Sequence, residues 1–320
     1  MKDSSKSKIF PTINPNSNKM HIAVLMGGMS NERSVSLSTA EGVVNSLKEL
    51  NYKVTPIDMG RDIAEILIKI KPDIVFNALH AGYGENGAVS GMLDIMGIPY
   101  THSGVFPSAV GIDKIASKAL FAANGIKTIE HVIIHKNDDL NNEPMERPYV
   151  IKPVSEGSSI GIHLIFPGDN FDIRDYKFEY GDHVIVEKYI KGREIQVAIV
   201  GDKAIGALEL EYKGRFYDFD AKYNPEKAAK HIMPAPLTED AYKRVLELAF
   251  KAHQAIGCQN ISRVEFIYDE HEGDDGEFYI LEVNTHPGMT PLSIVPDIAA
   301  YHGISYSDLV ELLIQDALKK

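Results

Sequence analysis

The stretch YILEVNTHPGMTP, Tyr279 to Pro291, opens like a buried strand and closes on a proline and a glycine, with Glu282 and Asn284 two residues apart between them. Side chains alternate along a strand, so Ile280, Glu282 and Asn284 are expected on one face and Leu281 and Val283 on the other. A carboxylate and an amide then stand side by side at a strand end. The preceding run ISRVEFIY, Ile261 to Tyr268, sets Arg263, Glu265 and Ile267 on one face in the same way. Paired, the two strands bring Glu265, Glu282 and Asn284 together as a hard, oxygen-only donor set. Such a set suits Mg²⁺, which keeps waters and binds substrate phosphates. Either strand taken alone also fits solvated charges on a half-exposed sheet, and it is their shared polar end that favours a metal.

Upstream, REIQVAIVG and KAIGALEL read as further strands, followed by a polar segment over 212–236 and a helix from about Thr238 to Ile256. That helix has a threonine cap, acids in its first turn and Gly257 past its end. EHVIIH, PYVIKPV, IGIHLIF and HVIVEKYI are strand-like without long helices between them, which suits an antiparallel sheet. The first hundred residues alternate strand and helix from His21, the pattern of a parallel α/β unit. A helix over 113–124 ends at Gly125, and a closing amphipathic helix carries Leu309, Leu312 and Leu313 on its inner face.

The chain has 320 residues, 44% hydrophobic and 24% charged, as in an ordinary globular protein of two or three compact units. Its net charge of -12 disfavours nucleic acid and acidic membrane surfaces as partners. Cys258 is the single cysteine, which excludes an internal disulfide and a thiolate metal cluster and makes a reducing cytoplasm the expected compartment. No apolar run approaches the roughly 18 residues that span a bilayer. Residues 1–20 lack the apolar centre of a secretory signal and are expected to be a flexible tail.

YVIKP puts Lys152 at a strand end, and the VSEGSSIG that follows has the small residues that let backbone N–H groups approach phosphate oxygens. GGMS, before the first helix, is not a dinucleotide fingerprint, and the P-loop pattern is absent, so a nicotinamide dehydrogenase and a P-loop ATPase are both disfavoured. His80 falls at the end of a buried strand, where open α/β sheets bind ligands and where a packed structural histidine is equally at home.

Taken in order, HAGYGENGAVSGMLDIMGIPYTHSG, DKIASK, YVIKPVSEGSSIG, VEKYIKGRE, FYDFDAKY and LEVNTHPGMTPLS resemble the D-alanine–D-alanine ligases of the ATP-grasp superfamily. The resemblance runs from about Ile22 to the last helix. It implies an α/β chain, α+β overall: a Rossmann-like N-terminal domain over 21–103, a central ATP-grasp subdomain over 104–190 and a C-terminal one over 191–320. The implied activity joins two D-alanines at the expense of ATP, through a D-alanyl phosphate, for cell-wall precursor synthesis, in a protein that is usually a homodimer.

Residue by residue, the resemblance gives Glu265, Glu282 and Asn284 to two Mg²⁺ ions, with Mn²⁺ as a substitute, and Lys114 and Lys152 to the ATP phosphates. Glu187, Lys188, Tyr189 and Ile190 form the adenine hinge, and Glu194 meets the ribose. Glu32 receives the first D-alanine's ammonium and His80 its carboxylate, while Lys222 and Ser293 take the second carboxylate. Arg263 and the Gly288 N–H form the oxyanion hole. Ser158 and Tyr223 hydrogen-bond to Glu32 and tie a lid to the first domain, keeping water from the acyl phosphate. Tyr223 stands where related ester-forming ligases tend to carry phenylalanine. Ala81, Asn86, Ser34 and Glu265 depart from the family's usual glycine, aspartate, acid and aspartate; Glu265 still supplies a carboxylate.

Overall fold

A computed structural model describes residues 20–212 and 229–319. Strands β1 (His21–Met26), β2 (Lys53–Asp58) and β3 (Ile74–Asn77) form a parallel sheet in the order β2-β1-β3. The middle strand is buried along nearly its whole length, as parallel strands covered on both faces must be. Helix α1 (Arg33–Glu49) turns Ala40, Val43, Val44 and Leu47 towards one face of this sheet. Helices α2 (Ile63–Ile70) and α3 (Ala88–Met96) close the other through Leu67 and Leu93. The catalytic candidates leave from the carboxyl ends of β1 and β3.

Helix α4 (Val105–Ile112) leads into α5 (Lys114–Ala123), whose Asp113 cap accepts from the N–H groups of Ile115 and Ala116. Gly125, at φ +64°, supplies the left-handed turn that ends it. Then come β4 (His131–His135), β5 (Tyr149–Pro153), β6 (His163–Ile165) and β7 (His183–Lys188). They make an antiparallel sheet in the order β4-β7-β5-β6, which is the arrangement expected of those short strand runs.

The third sheet has the order β10-β9-β8-β11-β12: β8 (Arg193–Val200), β9 (Lys203–Glu211), β10 (Lys230–Ile232), β11 (Ile261–Asp269) and β12 (Glu277–Asn284). Strict alternation lets β8 serve two cores. Ile195, Val197 and Ile199 meet Val245, Ala249 and Ala252 of α6 (Glu239–Ala255), whose Thr238 hydroxyl caps the Ala241 N–H. Ala198 and Val200 point the other way, into a core built with Val295 and Ile298 of α7 (Ile294–Tyr301) and Leu309 and Leu313 of α8 (Tyr306–Ala317). That second core is continuous with Ile22, Val43 and Leu47 of the parallel-sheet unit. Tyr52 seals the junction by donating to both oxygens of buried Glu311 at 2.8 and 3.0 Å. The chain end thus packs on the chain start, and Phe121 and Ile126 join the α6 core, so the units share cores across positions 103 and 190.

Two expectations need correction. Strand β10 lies in the segment expected to be polar connection, a short edge strand of three residues. More consequentially, Ile280 does not share a face with Glu282 and Asn284. Glu265 pairs with Glu282, but the next residue, Phe266, pairs with Ile280, so Leu281 is an extra residue on β12. This bulge restarts the alternation: Ile280 goes into the α6 core, while Leu281 and Glu282 both face the cleft.

Candidate active site

Two adjoining clefts open between the sheets, and the candidate residues among those described line one or the other. Lys222 and Tyr223 lie outside the described residues. Lys114, Glu156, Gly157, Ser158 and Glu282 line both clefts, so the two meet there.

The first cleft is polar. Glu32 precedes the first turn of α1, near the positive end of the helix dipole, and its Oε1 accepts from Ser158 Oγ at 2.6 Å. Ser158 and Ser159 stand at φ +50° and +61°, a tight left-handed turn in the β5–β6 connection that reaches across to the parallel-sheet unit. His80 is buried, with Nε2 2.9 Å from Thr39 Oγ1 and Nδ1 3.4 Å from Glu85 Oε1. Its backbone carbonyl accepts from Ser30 Oγ at 2.6 Å, which fixes the chain as it leaves β3. On the opposite wall stand Arg263, Asn284, Gly288 and Ser293. A Cβ on Gly288 would come within 2.8 Å of Ser293 Oγ, so a side chain there would close this corner. Ser293, the residue before α7, takes the Thr290 N–H on its hydroxyl at 2.8 Å.

The second cleft is walled by apolar side chains from two sheets, Val150, Ile162 and Leu164 on one side and Ile267 and Leu281 on the other. A slot of that kind suits a flat aromatic ring. Polar groups sit at its ends. Glu187 receives two ammonium groups, Lys152 Nζ 2.5 Å from Oε2 and Lys118 Nζ 2.6 Å from Oε1, both as ion pairs without regular hydrogen-bond alignment. Burial alone would raise the Glu187 carboxyl, but the two lysines hold it at about 2. Gln196 Nε2 donates to Glu194 Oε1 at 2.9 Å, orienting that carboxylate.

Where the clefts meet, Glu265 and Glu282 are direct cross-strand partners, with Arg263 opposite Asn284. Arg263 is ion-paired with Glu265, and Lys114 Nζ lies 4.0 Å from Glu282 Oε2 while donating to the Glu156 carbonyl at 2.6 Å. Arg263 and Lys114 offset part of the repulsion between these opposed like charges, and two oxygen donors remain turned to the cleft from neighbouring strands. As an oxygen-only donor set, the two carboxylates with the nearby Asn284 amide fit a divalent, oxygen-seeking ion.

Several residues here were missed from the sequence. Glu85 orients His80. His286 is fully sequestered, pushed down by burial to about 4 and therefore neutral, and its Nε2 donates to the Asn77 carbonyl at 2.8 Å. It stacks on His102 at 3.7 Å and so ties the loop after β12 to the end of β3. Lys118 was the third, although it lies four residues from Lys114 on the same helix face. Asn86 needs no charge for what it does, since its Oδ1 accepts from the Ala88 N–H at 3.1 Å at the start of α3. Ala81, at φ +54° and ψ 176°, occupies backbone space that glycine favours.

Comparison with known proteins places this geometry. The family model described as "D-ala D-ala ligase C-terminus" matches residues 120–315. D-alanine–D-alanine ligases of Rickettsia africae and Rickettsia bellii are each 53% identical over 300 residues, covering 93% of this chain and 92% of theirs. Among solved structures, Bacillus anthracis D-alanine–D-alanine ligase complexed with ATP superposes with a TM-score of 0.80 at 30% identity, across 94% of this chain and 98% of that one.

Proposed function

The chain belongs to the D-alanine–D-alanine ligase family, and from that premise we propose that it is the ATP-dependent ligase that joins two D-alanines, releasing ADP and phosphate. The observation that carries this reading is the meeting of the two clefts at Lys114, Ser158 and Glu282: a phosphate chain laid out from the apolar slot ends beside the polar cleft. Phosphoryl transfer asks little of a protein beyond positioning and charge neutralisation, and those are the resources concentrated there.

In this reading the base lies in the slot against Glu187 and the backbone of Lys188 to Ile190, the ribose meets Glu194, and Lys114 and Lys152 face the phosphates. Glu265, Glu282 and Asn284 would hold two Mg²⁺ ions, or Mn²⁺ in their place, which supply charge neutralisation on the phosphates when bound. Glu32 takes the ammonium of the first D-alanine and His80 its carboxylate, which attacks the terminal phosphorus as its bond to the bridging oxygen breaks and ADP leaves, giving an acyl phosphate. The amine of the second D-alanine, its carboxylate held by Ser293 and Lys222, then attacks the acyl carbon. Arg263 and the Gly288 N–H stabilise the oxyanion of that tetrahedral intermediate, and phosphate leaves. Ser158, and Tyr223 in its segment, hold Glu32 and keep water out. A Rossmann-like domain over 21–103, ATP-grasp subdomains over 104–190 and 191–320, and a homodimer are part of the same proposal.

Among the described residues, no helix is long and apolar enough to cross a membrane. The deciding test is release of ADP and phosphate with single amino acids in Mg²⁺ buffer, followed by mass analysis of the product. Release that depends on D-alanine, with D-alanyl-D-alanine formed, is expected. ATP binding without release for any amino acid would overturn the reading in favour of a nucleotide-binding module.

A further inference from the structure

Lys118 is 2% exposed, and none of the roles above uses it. An ammonium at that depth is costly unless paired, and packing alone would be served by leucine or methionine. Its partner is Glu187, shared with Lys152, but the two lysines differ. Lys152 lines the apolar cleft, 14% exposed at its side chain, and in the reading above it faces the phosphates once nucleotide is bound. Lys118 is sealed behind the carboxylate and has nowhere else to go. Each carboxylate oxygen accepts more than one hydrogen bond, so a lysine on Oε1 leaves Glu187 able to accept from a ligand.

We propose that Lys118 is a positioning residue for nucleobase recognition: it holds Glu187 as an ionised, acceptor-only carboxylate, so that the cleft selects a purine with an exocyclic 6-amino donor. A protonated Glu187 would present a donor as well as an acceptor and lose that discrimination. The proposal rests on the reading of Glu187 as the base-contacting residue.

The test compares kcat/KM for ATP with that for purine riboside triphosphate, which lacks only the 6-amino group, in the full chain with D-alanine and Mg²⁺. A hydrogen bond to a charged acceptor predicts a preference for ATP of about tenfold or more. In Lys118→Met the preference should shrink to about threefold or less, through KM for ATP more than through kcat, with KM for D-alanine unmoved. Lys118→Arg, which keeps the charge, should retain it. If Lys118→Met does not fold, Lys118→Gln, which keeps a donor and removes the charge, is read in the same way. Preference kept in the Lys118 variants but lost in Glu187→Gln would overturn the proposal and leave the Glu187 reading standing. Preference kept in all of them would overturn both.

Discussion

The two clefts are built on different principles. The apolar slot, where the proposal lays the nucleotide, lies between two antiparallel sheets, and its polar groups sit on strands whose register fixes them: Lys152 on β5, Glu187 on β7, Glu265 and Glu282 on β11 and β12. The polar cleft, where the proposal places the two amino acids, is assembled from chain ends and turns, with Glu32 before α1, His80 after β3, Ser158 in a left-handed turn and Gly288 and Ser293 beyond β12. One is preformed by ladders; the other is held by single contacts such as Ser158 to Glu32 and His286 to Asn77. Disturbances in the first should therefore strike chemistry, nucleotide affinity and the ion pairs built on those strands while sparing amino-acid affinity, and disturbances in the second should spread into amino-acid affinity, specificity and stability.

Glu282→Gln tests that division hardest. With one of two opposed carboxylates neutralised, ADP release at ordinary Mg²⁺ should fall on the order of a thousandfold, since metal stabilisation of transferring charge is worth several kcal/mol. The thermal unfolding profile should be unchanged, and full activity would show that the β11–β12 pair is not the metal site. His80→Gln should raise KM for the first D-alanine about tenfold by loss of a charge-assisted contact, with KM for ATP unmoved. A parallel rise in both constants would mean that the two clefts are not independent.

Acid gives a finer cut. The Glu187 carboxyl is held at about 2, below its ordinary 4.5, so its contribution to stability is complete above 4.5 and is lost as pH falls from there towards 2. Chemical denaturation between pH 5 and 3 should show that loss, and a Lys118→Met/Glu187→Gln double variant should show less of it. Tyr223→Phe should let the ligase accept D-lactate as second substrate, read as ester product in a coupled assay, while leaving the nucleotide cleft untouched. The smallest effect is expected at Ala81→Gly, which removes a Cβ from glycine-type backbone and should stabilise the fold by about 1 kcal/mol in denaturant titrations.

The same division governs what could be read from sequence. Strand periodicity alone brought Glu265, Glu282 and Asn284 to one place, and cap and glycine signals bounded α5 and α6. Periodicity has no means of announcing an extra residue, so the face of Ile280 was misassigned beyond the bulge. A buried lysine in a helix is written like a solvated one, which hid Lys118. The polar cleft has no repeat at all, because turn residues drawn from distant segments follow no spacing rule; Glu32, Gly288 and Ser293 were legible only as pieces of a family pattern, and His80 by its place at the end of a buried strand, which fits a packed structural histidine equally well. Glu85 and His286 act through neighbours, and nothing local in the chain marks such a role.

The bulge at Leu281 also says which change of length β12 can survive. On either side of it the ladder is regular: Val264 with Val283 and Glu265 with Glu282 above, Phe266 with Ile280 and Ile267 with Tyr279 below. Deleting Leu281 or Glu282 would join these halves into one unbroken ladder and send no other side chain to the wrong face, whereas deleting Val283 would set Glu282 opposite Val264, on the core face. Of the two residues at the bulge, Leu281 is the one the chain can lose while keeping both its ladder and the Glu282 carboxylate, and the loss would fall on the wall of the apolar slot.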